Sequence, residues 1–189
     1  MFRIPLWGVV EAPSRALGTS FGAAQFPVLD LHELAAGKLA ALLARRASRD
    51  LFDAHHLLTH CEFEREKLRA GFVLFGAVNR RDWRGVSAAD IDFEPVDLKN
   101  QLLPTLHHDY AREIGQPHVW AERLISECRT ALGAVLPLSG AEREFLDRLL
   151  DHGEVVPSLL SSDIAWADRV KQHPLLEWKA LNVQRRMER

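Results

Sequence analysis

Between Lys38 and Asp53 the chain reads KLAALLARRASRDLFD. One lysine, three arginines (Arg45, Arg46, Arg49) and two aspartates stand in an otherwise apolar helical pattern. These residue types suit phosphoryl and nucleotidyl chemistry. An ammonium neutralises phosphate charge, a guanidinium fork binds phosphate oxygens two at a time, and a carboxylate holds metal or accepts the attacking hydroxyl's proton. Each residue also has a plainer reading. Lys38 could lay its stem along apolar surface with its ammonium in water. Asp50 and Asp53 suit the first turn of a helix, where the dipole favours negative charge, and the arginines suit a helix C-terminus. Asp50 could equally serve as an ion-pair partner for Arg45 or Arg46.

The elements that position these groups follow from periodicity. Leu31, Leu34, Ala35, Leu39, Leu42 and Leu43 recur at three- and four-residue spacing, which predicts one buried stripe on a helix from about Leu31 to Ala47. Lys38 lies in that stripe or on its edge, and Arg45, seven residues on, shares its face. Ser48 breaks the helix, and a second runs from about Arg49 to His60. Residues 2–11 read as a strand with Pro5 at an edge, residues 12–22 as a loop, and residues 26–31 as a second short strand. Further helices are expected over residues 62–79, 98–107, 116–132, 139–151 and 163–172, with a last one from Pro174. Residues 80–97 read as irregular. Ser139 and Glu142 form a capping-box pattern. The fold class is α+β, mostly α, with short N-terminal strands in residues 1–31 followed by a helical body in residues 32–189.

The order Glu33, Lys38-Leu39, Ala41-Leu42, Arg45, Arg49-Asp50, Phe52, Asp53 resembles a conserved block of the AbiEii/AbiGii-type nucleotidyltransferases, the toxin halves of type IV toxin–antitoxin (abortive infection) pairs. The segments at residues 72–83, 101–106, 145–160 and 173–182 look like that family's helical C-terminal half. The resemblance implies transfer of a nucleotide from a triphosphate to RNA or protein with Mg²⁺. It makes Lys38 and Asp50 the catalytic pair, and Lys38, Arg45, Arg49 and Asp53 the nucleotide-binding set. It also implies a winged-helix antitoxin as partner. Family members carry a Gly-Gly or Gly-Ser turn and an Asp-x-Asp metal pair before the lysine block, and no Asp-x-Asp precedes Lys38 here. The expectation is therefore the C-terminal portion of such an enzyme, starting inside its sheet and needing complementation from a partner chain or an upstream reading frame. A catalytically inactive remnant that binds an antitoxin or another partner chain is the alternative.

Other candidates carry less. Asp90-Ile91-Asp92 mimics the family's metal pair, but it follows an arginine-rich loop and is closed by Pro95, so it reads as a loop with a helix cap. His56, His60 and Cys61 lack the glutamate of a zincin, and no Cys-x-x-Cys exists, so no metal ligand is assigned. The five tryptophans are dispersed and read as core anchors. A net charge of −2 excludes a global basic field, so RNA contact needs a local patch. Two cysteines fit a reducing cytoplasm. No apolar run approaches the roughly 20 residues of a membrane span. An open sheet edge near residues 2–10 predicts a homodimer or a partner strand.

Overall fold

Asp30 is where the chain turns from extended to helical. The structure, a computed structural model, describes residues 4–15 and 20–188. Before Asp30 lies a two-stranded antiparallel ribbon, β1 (Val9–Arg15) and β2 (Gly22–Leu29), pairing Val9 with Leu29 and Val10 with Val28. After it comes α1 (Leu31–Arg45), whose first amides are capped by the Asp30 carboxylate at His32 N, 2.9 Å. Burial raises the Asp30 pKa, but Lys67 at 2.7 Å and His32 outweigh it and hold it below the usual range. The fold is α+β and mostly α.

The strands differ from the expected spans. The first begins at Val9, because Gly8 at φ 88° interrupts the extended chain and Leu6 is buried, donating its N–H to Glu33 at 2.8 Å. It continues to Arg15, into the expected loop, with its register broken between Ala12 and Ser14, where Pro13 cannot donate to a ladder. The second starts at Gly22 rather than 26. Residues 2–3 and 16–19 of the expected strand and loop lie outside the described residues.

α1 ends at Arg45, short of Ala47, because Arg46 turns left-handed at φ 55°. α2 (Ser48–His60) and α3 (Arg65–Ala77) pack against it. The buried arc of α1 is Ala35, Ala36, Leu39, Ala40, Leu42 and Leu43, whereas Leu31 and Leu34 are exposed, contrary to the expected stripe. The side of α1 that carries Ala36 faces Gly71 of α3. A Cβ there would lie 2.9 Å from the Ala36 methyl, so the absent side chain lets α3 approach α1 closely at Ala36.

Two 3₁₀ turns, Trp83–Gly85 and Ala88–Asp90, fill the irregular stretch. A single turn α4 (Pro95–Asp97) leads into a π turn, Leu98–Leu102. The helix expected to 107 instead tightens to a 3₁₀ turn at Leu103–Thr105, because Pro104 has no N–H for the ladder. Then follow α5 (His108–Glu113), not expected from periodicity, α6 (Pro117–Ala131), α7 (Gly140–Asp147) with its capping box and π continuation to His152, α8 (Ile164–Lys171) and α9 (Pro174–Met187).

Trp83, Trp166, Phe72 and Phe145 anchor the core. Trp83 lies over Gly76, where a Cβ would stand only 2.0 Å from the indole nitrogen. Trp178 departs from the core-anchor expectation, being 63% exposed. Among the described residues no helix is long and apolar enough to cross a membrane.

Candidate functional site

The start of α2 decides where its aspartates point. Ala47, the N-cap residue, offers no side-chain acceptor. Asp97 reaches in from α4 instead, accepting from Ser48 N at 2.7 Å and Ser48 Oγ at 2.6 Å. These two bonds hold the Asp97 carboxyl below its ordinary pKa. Ser48 is fully buried, so the first turn of α2 is pinned at both its backbone and its side chain.

Two residues on, Asp50 is buried against α1, and Arg45 Nη2 lies 3.0 Å from its carboxylate. One turn further, Asp53 Oδ2 receives Lys38 Nζ at 2.5 Å. The geometry is a cross-brace: i and i+3 on α2 meet i and i+7 on α1. The two pairs differ in burial. Arg45 is 65% exposed over an Asp50 that is only 8% exposed, whereas Lys38 and Asp53 are both open to water at 37% and 39%. An exposed pair contributes little to stability, so Lys38 exchanges partners at small cost. A buried carboxylate stripped of its cation is expensive, so Asp50 keeps Arg45 oriented.

The other arginines stand apart. Arg49 points to the flank, where Nη2 meets Gln101 Oε1 at 3.1 Å. Arg46 is exposed at the left-handed turn. The structure thus brings Lys38 to Asp53 and Arg45 to Asp50. It does not bring Arg49 into either pair.

On the outer side of α1 opens a half-enclosed trough of about 770 Å³ between α1, the end of α3 and the start of α9. Arg45, Arg80 and Arg81 lie on its walls. Arg81 is committed to Asp90 at 2.8 Å and to the Leu43 carbonyl at 3.2 Å. His173 lines the trough in a buried position, where desolvation lowers its pKa against the opposing backbone contacts at Ile4 and at its own residue. Glu33, another wall residue, anchors the Leu6 amide.

Sequence reasoning did not find Asp97, Arg81 or His173. Asp97 is far from Ser48 along the chain and carries no periodic signal. Asp90 accepts from Ser87 N at 2.8 Å as well as from Arg81, and Asp92 accepts from Phe93 N at 2.9 Å, so this pair ties down a loop. His56 and His60 stack at 4.4 Å. Among the described residues no group of three or more His, Cys, Asp or Glu side chains is placed to hold a metal ion.

The model of the family described as nucleotidyl transferase AbiEii toxin, type IV TA system, matches residues 2–123. The match takes in the ribbon, both ion pairs and Asp97, and ends before the segments at residues 145–160 and 173–182. No curated protein and no solved structure matches the chain.

Proposed function

Because the chain belongs to the AbiEii family of nucleotidyl transferase toxins of type IV toxin–antitoxin systems, we propose that the α1–α2 hairpin is its phosphate grip. Lys38 and Arg45 bind the phosphates of a nucleoside triphosphate, and Asp50 and Asp53 orient them. The observation that carries this reading is the pair of cross-helix bridges, with the Lys38 ammonium half open to solvent on a water-exposed carboxylate. An arriving phosphate displaces Asp53 from Lys38 and leaves that carboxylate free to accept a proton from the acceptor hydroxyl. Asp50 acts through Arg45, holding the fork rigid for bidentate contact. Arg49 reaches the same ligand only by leaving Gln101.

Mg²⁺ fits in part. Asp53, in place of its proton-accepting role, would supply one carboxylate once the phosphate has drawn Lys38 away, and Mg²⁺ in such sites takes one or two carboxylates together with substrate phosphates. Bound there, the ion would neutralise phosphate charge. The acceptor, RNA or protein, lies within the same proposal. The family implies an antitoxin partner, and we propose the winged-helix kind on resemblance alone.

Calorimetric titration with each of the four ribonucleoside triphosphates and Mg²⁺ tests this. We expect one or more to bind, and Lys38→Ala to weaken that binding at least about tenfold, the worth of one charge-assisted contact. Absence of binding by every triphosphate would overturn the grip. The exposed ribbon then favours the second reading, a module for binding a partner chain. Val9, Val10 and Phe26 are all about half exposed there. A strictly monomeric chain that captures no partner strand would remove that reading.

A further inference from the structure

We propose that the trough beside α1, together with the outer face of α9, is a docking groove for an acidic amphipathic helix of a protein partner. The floor is small and apolar. Gly37, Ala41 and Ala44 follow one another at i, i+4 and i+7 along α1, spanning about 10 Å of helix, and face Val78, Pro174 and Leu175. Between Glu33 and Arg45, which flank it on α1, this wall carries only hydrogen or methyl side chains, so a helix backbone lies close against it.

The apolar surface does not end at the trough. Pro174, Trp178, Leu181 and Arg185 form one row at i, i+4, i+7 and i+11 on α9. Trp178 is 63% exposed and Leu181 46%. An exposed tryptophan next to a concavity is the kind of anchor that dominates interface energetics. His173, buried at the head of α9, also lines the trough.

Charge selects the occupant. Arg80 at the trough rim and Arg185 and Arg186 on α9 are exposed and form no ion pair among the described residues. Lys179 is drawn to the Asn79 carbonyl at 2.9 Å on the same wall. Glu177, the acidic residue of α9, stands outside the apolar row. An apolar strip rimmed by unpaired cations complements leucine-like side chains flanked by carboxylates. A lipid surface is flat and cannot enter a concavity of this size, and nucleic acid would meet glycine and alanine where it needs cations.

Fluorescence anisotropy tests the groove with a labelled helical peptide of about 16 residues, leucines at i, i+3, i+4 and i+7 and glutamates between, against its lysine-for-glutamate counterpart. The glutamate peptide is expected to bind and the lysine peptide to bind at least about tenfold more weakly. Ala44→Trp, which fills the trough from an exposed position, and Trp178→Ala are each expected to weaken the glutamate peptide about tenfold or more. Arg80→Glu is expected to narrow the charge preference. Circular dichroism checks that each variant folds. Equal binding of the two peptides, no binding of either at roughly 1 mM, or insensitivity to both Ala44→Trp and Trp178→Ala would overturn the proposal. So would Trp178-dependent binding to phosphatidylserine vesicles or to an RNA hairpin in place of the peptide. Arg45 lines the trough as well as belonging to the grip, whereas Lys38 does not line the trough and Trp178 belongs to neither ion pair, so loss of triphosphate binding in Lys38→Ala and loss of peptide binding in Trp178→Ala report on different sites.

Discussion

The ribbon and the α1–α2 hairpin are neighbours in sequence and opposites in physics. β1 and β2 share a ladder with each other and little with any other element. Their apolar side chains, Val9, Val10, Phe26 and Val28, face water. The hairpin is held by α3 beneath it, by Asp97 at the head of α2, and by two ion pairs across its turn. A two-stranded ribbon alone is marginal in water, whereas helices with buried faces take their rigidity from packing. Chemistry that needs atoms held within a fraction of an ångström belongs on the second kind of element. The first kind suits a surface completed by something else.

Substitutions break the comparison at different strengths. Leu39→Ala, in the fully packed interior of α1, is expected to cost about 3 kcal/mol in urea unfolding. Phe26→Ala in the ribbon is expected to stay within about 0.5 kcal/mol. Similar losses at the two positions would show that the ribbon is packed in solution. Asp97→Ala removes the remote cap and is expected to cost about 1 kcal/mol. Triphosphate affinity should fall with it, because Asp50 and Asp53 ride on the turn that Asp97 pins.

The same carboxylate produces an acid response. The Asp97 pKa is depressed in the folded state, so its contribution is present above the ordinary aspartate value near 4 and is lost as pH falls through the folded value. Unfolding midpoints at about pH 3 and pH 6 are expected to differ less in Asp97→Asn than in the parent chain. An unchanged difference would mean that Asp30 and other carboxylates carry the acid sensitivity. The smallest effect is a gain. Arg46→Gly relieves the left-handed turn and is expected to stabilise by about 0.5 kcal/mol, the difference between αL relief and added unfolded-state entropy. A loss would show that the Arg46 side chain makes a contact in solution.

Much of the helical body was legible because its signals are local. Ser139 with Glu142 and Pro174 at the head of α9 both act within one helical turn, and the helices follow, whereas the break assigned to Ser48 falls at Arg46 and Ala47, and Ser48 opens α2. The ribbon was misplaced because Leu6 serves as a plug tied to Glu33, a partner far along the chain, which alternation cannot reveal. Trp178 reads like the other tryptophans in sequence, and only the packing of α9 through Leu176, Ala180 and Val183 leaves it outside.

By itself the sequence determined the family block, the two helices that carry it, and the list of charged groups at their junction. Periodicity fixes angles about a helix axis, and Lys38 and Arg45 share a face wherever that helix lies. Only the tertiary structure decided that Lys38 meets Asp53, that Arg45 covers Asp50, and that Arg49 turns to Gln101. Those choices depend on how α2 sits against α1. Ser48 and Asp97 pin the first turn of α2 through a contact between residues far apart in the chain, where hydrogen bonding, rather than local spacing, selects the partner.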